Sequence, residues 1–168
     1  GSGCVALSSW QSAFTHLIAA LCSKGDNVVV SRKIYGGTLT LLQNVFSRFG
    51  IETILVDSDH PCQVEQAIND GTRGIITETI GNPMMNVAPL EALARIAKRQ
   101  GVPLIIDNTF ASPVLCRPIE WGANAVIHST TEYMEIKAGE TFNLPGNSKF
   151  GFRCYVPVQY VCSYIPLS

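Results

Sequence analysis

The sequence predicts a three-layer α/β/α domain built on a mostly parallel β-sheet. Short apolar runs alternate with helix-like segments at least five times along the 168 residues. Two of these runs, 104–106 and 125–127, are continuously apolar, which is typical of strands that are buried on both faces. Polar residues follow the runs directly. Because open α/β sheets bind ligands at the carboxyl ends of their strands, this edge is the expected site.

The composition supports a folded domain and excludes several functions. Hydrophobic residues make up 46% of the chain and charged residues 15%, which favours a substantial core over disorder. Twelve basic residues against 13 acidic ones leave a net charge of −1, so no basic surface for nucleic acid is expected. No apolar run is long enough to span a bilayer. The first four residues have no starting Met and do not form a signal peptide, which suggests a fragment.

Six cysteines stand at positions 4, 22, 62, 116, 154 and 162. None forms a C-x-x-C pair, so neither a zinc site nor a redox motif is indicated, and no metal is expected. We therefore expect the thiols to be reduced and mostly buried, in a cytoplasmic protein.

The N-terminal half predicts alternating strands and helices. A strand at 5–7 leads into a helix at 11–22, with Ser9 as its N-cap, and this arrangement makes an anion cradle. A strand at 27–31, a loop at 35–38 and a helix at 39–49 follow. The apolar positions of that last helix, with helical spacing, are Leu41, Leu42, Val45, Phe46 and Phe49. A strand at 51–56 and a short helix at 61–68 complete this half.

The next segments place polar residues at three strand ends. A strand at 74–77 ends at Glu78 and is followed by the turn signal Gly81-Asn82-Pro83. The clearest helix, 89–100, has Pro89 in its first turn and Gly101 after its end. The strands at 104–106 and 125–127 then lead into Asp107 and His128.

The residues after these last two strands resemble the trans-sulfuration family of pyridoxal-phosphate (PLP) enzymes. The sequence D-N-T-F at 107–110, followed by H-S-T-T-E-Y at 128–133, is similar to that family's motifs. The family includes cystathionine synthases and lyases, methionine lyases and O-acylhomoserine sulfhydrylases. The resemblance covers roughly residues 3–134 and implies the large domain of the fold type I, aminotransferase-like class, with PLP as cofactor.

The resemblance also implies a role for individual residues. Asp107 would pair with the pyridine nitrogen of PLP, and Tyr35 would stack on its ring and assist catalysis. Asn82, in the loop that starts at Glu78, would lie against the ring oxygen. The turn at 9–11 would hold the phosphate together with hydroxyls after the last strand. The implied cofactor-binding residues are Ser9, Trp10, Gln11, Tyr35, Glu78, Asn82, Asp107, Thr109, Ser129 and Thr131.

Two positions depart from the family pattern. Trp10 replaces a glycine of the phosphate turn, and its indole is expected to crowd the phosphate or the ring. Glu132 stands where the family has the lysine that holds PLP as a Schiff base. A carboxylate cannot form that bond, so little or no catalysis is expected. Lys137, five residues on, would lie about 140° away on a helix.

The resemblance divides the chain into a partial PLP-binding domain, 1–134, and a divergent tail, 135–168. The family's N-terminal arm and C-terminal domain have no counterpart, so truncation at both ends is expected. The tail could form two short edge strands, or be unrelated to the family.

The implied ancestral chemistry is elimination or replacement at the β or γ carbon of a small-molecule substrate, such as cysteine, cystathionine or an O-acylhomoserine. The family assembles as dimers or tetramers. Two alternatives to a catalytically impaired enzyme remain open: a non-catalytic module that binds PLP loosely or pairs with a full-length relative, and a non-functional remnant.

Overall fold

The computed structural model describes residues 3–133 and three short strands at 141–142, 152–153 and 161–163. A five-stranded parallel sheet forms the centre of residues 3–133. Its strands, in chain order, are β2 (Asn27–Ser31), β3 (Glu52–Val56), β4 (Thr72–Glu78), β5 (Leu104–Asp107) and β6 (Ala125–Ile127). Their order across the sheet is β3-β2-β4-β5-β6. The predicted parallel α/β sheet is therefore confirmed.

Helices cover both faces of this sheet. They are α1 (Trp10–Leu21), α2 (Gly36–Thr40), α3 (Pro61–Ala67), α4 (Leu90–Gln100), α5 (Ser112–Leu115) and α6 (Thr130–Tyr133). One buried core packs α1 and the segment after α2 against one face, and a second packs α3 and α4 against the other. Val28 and Val30 enter the first core and Val29 enters the second, as alternation along a buried strand requires. The layers are thus α/β/α.

The strand register brings the polar strand ends together. Glu78, the last residue of β4, lies opposite Asp107, the last residue of β5. Asp107 in turn lies opposite Ile127, the last residue of β6. Two carboxylates and the segment that starts at His128 therefore meet at one edge, as expected for a parallel sheet.

The helix predicted at 39–49 begins earlier and is irregular. It starts at Gly36, so the predicted loop at 35–38 is wrong for residues 36–38, which are helical. A π-helical turn (Leu41–Val45) and a 3₁₀ turn (Phe46–Phe49) follow α2. The π turn shifts the register, which leaves Val45 42% and Phe49 64% exposed although their spacing predicted burial. In α4, Pro89 is the N-cap rather than a first-turn residue.

The first strand lies outside the main sheet. β1 (Val5–Leu7) pairs antiparallel with β9 (Val161–Ser163), and β7 (Thr141–Phe142) pairs antiparallel with β8 (Phe152–Arg153). The boundary between 134 and 135 stays a prediction. Among the helices described, none has the length and apolar character that crossing a membrane requires.

The cysteines agree only partly with the expectation of reduced, mostly buried thiols. Cys22 is free and buried. Cys62 is free but exposed, and Cys4 is disulfide-bonded, so the expectation is wrong for these two residues.

Leu93 tests the core between α4 and the sheet. Its side chain is fully buried, so Leu93→Ala should lower the free energy of unfolding by about 2–5 kcal/mol through lost burial and the cavity left behind. Leu115→Ala is the matched control, because Leu115 is 77% exposed. Chemical denaturation measures both. Equal losses in the two variants would contradict the described core.

Candidate active site

A cavity of about 390 Å³ opens at the carboxyl edge of the sheet. It brings together every site residue predicted from the sequence except Thr131, whose side chain lies outside the described part of the chain. Two lining residues, Ile80 and Phe110, were missed, although Phe110 belongs to the motif at 107–110. The lining residues are Ser9, Trp10, Gln11, Tyr35, Glu78, Ile80, Asn82, Asp107, Thr109, Phe110, Ser129 and Glu132.

Asp107 is the most constrained of these residues. Its side chain is only 5% exposed. Oδ1 accepts hydrogen bonds from the backbone N–H of Thr109 at 3.0 Å and from Thr109 Oγ1 at 2.5 Å. Oδ2 accepts from Trp10 Nε1 at 2.7 Å. Burial raises the pKa of Asp107, the bonds from Thr109 and Trp10 oppose that rise, and the charge of Glu132 adds to it.

Thr109 links Asp107 to the segment after β6. Its hydroxyl donates to Asp107 and accepts from the backbone N–H of Ser129 at 2.9 Å. The hydroxyl proton is thus directed at the carboxylate, and the ends of β5 and β6 are held in one arrangement.

Glu78 ties two loops to the sheet. Its Oε1 accepts from the backbone N–H of Tyr35 at 2.8 Å, and the backbone of Asn82 also donates to it. Burial raises the pKa of Glu78 to about 8, and the neighbouring charge of Asp107 contributes, while the two backbone donors oppose the rise. Glu78 therefore positions the loops that carry Tyr35 and Asn82.

An aromatic group forms one wall of the cavity. The indole of Trp10 lies 4.7 Å from the ring of Phe14 and 5.4 Å from that of Tyr35, measured between ring centroids. The contact with Tyr35 is edge-on, at an interplanar angle of 82°. Tyr35 itself is 49% exposed. The Trp10 ring therefore contacts both Tyr35 and the carboxylate of Asp107.

The turn before α1 has the cap expected from the sequence. Ser9 Oγ accepts from the backbone N–H of Ser12 at 3.1 Å and so confirms Ser9 as the N-cap. The helix end faces the cavity through the residues at 9–11.

The lining contains acidic side chains and no basic ones among the residues described. Glu78, Asp107 and Glu132 contribute carboxyl groups, and no lysine or arginine is among the lining residues described. Lys137, the alternative lysine considered from the sequence, lies outside the described residues. Across residues 3–133 and the described strands, no group of three or more His, Cys, Asp or Glu side chains could hold a metal ion.

The class of protein follows from solved structures with this fold, which are fold type I PLP-dependent enzymes. The metB protein of Corynebacterium glutamicum matches with a TM-score of 0.80 and 33% identity, covering 96% of this chain and 37% of that one. A putative O-acetylhomoserine (thiol)-lyase of Campylobacter jejuni matches with a TM-score of 0.77 and 36% identity, covering 79% and 33%. That structure carries a pyridoxyl-lysine phosphate.

The particular family follows from the sequence profile described as Cys/Met metabolism PLP-dependent enzyme, which matches residues 1–140. The chain belongs to this family, as the motifs predicted. Its relatives include the homocysteine/cysteine synthase of Saccharomyces cerevisiae, 41% identical over 135 residues, or 80% of this chain and 30% of that protein. The O-acetyl-L-homoserine sulfhydrylase of Leptospira meyeri is 38% identical over 159 residues, or 89% and 36%. The chain thus spans about a third of the length of these relatives.

A second profile matches the C-terminal part of the chain. It is described as pyrimidine/purine nucleoside phosphorylase and covers residues 119–164. The two matches overlap at 119–140, and Glu132 lies within the overlap.

The described residues do not fit PLP in the manner of the family. Glu132 provides no amine, and its carboxylate would repel a phosphate dianion. Both oxygens of Asp107 already accept hydrogen bonds, Oδ1 from Thr109 and Oδ2 from the indole N–H of Trp10. No described lining residue supplies a positive side chain against the phosphate. The cavity has adequate volume, but its chemistry differs from that of a PLP site.

Glu78 should make stability depend on pH. Its folded pKa of about 8 lies above the ordinary value of 4.5, so the folded state binds more protons between these pH values. The stabilisation is complete below pH 4.5 and is lost as pH rises through 8. Glu78→Gln keeps the acceptor without the charge. Its free energy of unfolding should exceed that of the unaltered chain by about 1–3 kcal/mol at pH 9, with little difference at pH 4.5.

Denaturation curves across this pH range measure the effect. Glu52→Gln, at an exposed strand position, is the control and should follow the unaltered chain. If Glu78→Gln also followed the unaltered chain at every pH, the raised pKa would be refuted.

Proposed function

We propose that this chain is a catalytically impaired member of the PLP-dependent trans-sulfuration enzymes. The observation that carries the proposal is Glu132, which lines the cavity at the position of the family's lysine. Its charge contributes to raising the pKa of Asp107. Without an amine at this position, the residue that would hold the cofactor and move its protons is lacking.

The proposed ancestral activity is β- or γ-elimination or replacement on a sulfur amino acid or an O-acylhomoserine. Support comes from family membership and from relatives that are synthases, sulfhydrylases and lyases of such amino acids. Tyr35, Asn82 and Asp107 would be the inherited contacts to the cofactor ring, and Ser9, Gln11, Ser129 and Thr131 those to its phosphate.

We propose a cytoplasmic location, as expected for metabolic enzymes of this kind. Assembly into dimers or tetramers is proposed by analogy with the family. Solubility and oligomeric state would separate a module that pairs with a full-length relative from a non-functional remnant.

Restoring the amine tests the proposal. Glu132→Lys and the unaltered chain are incubated with saturating PLP and then treated with borohydride. A lysine amine condenses with the aldehyde and releases water, and borohydride reduces the resulting C=N bond to a stable secondary amine. We expect Glu132→Lys to turn yellow and to carry the pyridoxyl group at position 132, as read by peptide mass spectrometry. The unaltered chain should show only low, non-specific labelling of its surface lysines, with no lysine labelled in preference to the others.

The matched control is Glu120→Lys, which adds a lysine at a surface position with an exposed side chain. It measures non-specific labelling of surface lysines. Capture by Glu132→Lys no greater than that by Glu120→Lys would refute the pocket assignment. Capture by the unaltered chain at a defined lysine, with turnover of an amino-acid substrate, would refute the impairment.

A second candidate function rests on the match of residues 119–164 to the nucleoside phosphorylase profile. It would consist of cleaving the bond between base and sugar with inorganic phosphate, which releases the free base and a sugar phosphate. Chromatography of nucleosides incubated with the chain, with and without phosphate, tests it. Phosphate-dependent base release that needs no PLP would support this function, and absence of release would reject it.

A further inference from the structure

We propose that Trp10 is a built-in occupant of the ring subsite, which competes with planar heteroaromatic ligands for this pocket. The inference goes beyond the loss of the lysine and holds whichever residue stands at position 132. It concerns how tightly a ring binds, so the indole weakens covalent capture at saturating PLP without abolishing it.

The first support is the bond between Trp10 Nε1 and Asp107 Oδ2, 2.7 Å long and joining residues 97 positions apart. The other oxygen, Oδ1, is engaged by Thr109. The indole N–H therefore supplies the donor that a protonated ring nitrogen would otherwise bring to this carboxylate. Because Asp107 is buried, a ligand must replace that donor to displace the indole.

The second support is steric. The indole packs on Phe14 at 4.7 Å and meets Tyr35 edge-on at 5.4 Å. It thus occupies contact positions on both Tyr35 and Asp107, the two residues that would contact a bound ring. A second ring cannot occupy these positions while the indole remains there.

The arrangement differs from that of an ordinary surface tryptophan at the start of a helix. Trp121, the other tryptophan, is 52% exposed and lies in a 3₁₀ turn away from the cavity. Trp10 lines the cavity, packs against a buried core and bonds to a buried carboxylate. Its position in the phosphate turn predicted that the indole would crowd either the phosphate or the ring of the cofactor. These contacts indicate that it crowds the position of the cofactor ring.

The test uses pyridoxamine, which has the ring nitrogen but neither aldehyde nor phosphate. Its binding therefore depends on neither a lysine nor the phosphate side of the pocket, so the result is independent of the Glu132→Lys experiment. Equilibrium dialysis compares the unaltered chain, Trp10→Gly, Trp10→Phe and the control Trp121→Ala. We expect at least tenfold tighter binding by Trp10→Gly, and no change in Trp121→Ala.

Trp10→Phe separates the two causes, because it keeps a ring but lacks the N–H donor. Binding between that of the unaltered chain and that of Trp10→Gly is expected. Circular dichroism checks that Trp10→Gly and Trp10→Phe are folded. The proposal would be overturned if the unaltered chain bound pyridoxamine as tightly as folded Trp10→Gly.

A second measurement covers the case in which Trp10→Gly fails to fold. In a Trp121→Phe background, Trp10 is the only fluorescent tryptophan. Asp107→Ala removes its acceptor, so acrylamide quenching of Trp10 should rise at least twofold and its emission should shift to the red. Ser112→Ala, a buried polar position outside the cavity lining, is the control. Quenching of Trp10 that is equal with and without the Asp107 carboxylate would overturn the proposal.

Discussion

The buried carboxylate of Asp107 is the constraint on which the edge of the sheet depends. A charged group at the end of an apolar strand is costly unless donors surround it. Here the donors come from the residues that follow β5 and from the start of α1. Meeting this requirement fixes the Thr109 hydroxyl, which in turn holds the backbone of Ser129. One buried group thus organises three separate chain segments.

Much of the fold could be predicted from the sequence because its signals are local. The strands at 27–31 and 125–127 have the predicted bounds, since each contains a continuous apolar run that is followed by polar residues. The helix at 36–49 was less predictable. Helical spacing assumes an unbroken α register, and the π turn at Leu41–Val45 breaks it. The spacing of apolar residues in this segment does not predict that π turn.

The candidate site could be predicted as a set of residues but not as a set of contacts. The order of the motifs identified which side chains gather at the edge. The direction of the Trp10 indole depends on Phe14, Tyr35 and a carboxylate far along the chain, so it is a tertiary property. The role of Glu78 was hidden for the same reason, because its partners are backbone groups of other loops.

The division of the core into two unconnected halves has an evolutionary consequence. The half beneath α1 also carries the aromatic wall of the cavity, since Trp10 and Phe14 belong to it. The half beneath α3 and α4 contains neither. Substitutions in the second half change the stability of the fold without altering ligand specificity. Substitutions in the first half change stability and ligand specificity together. Selection for a new ligand would therefore act through one side of the sheet while the other preserves the scaffold.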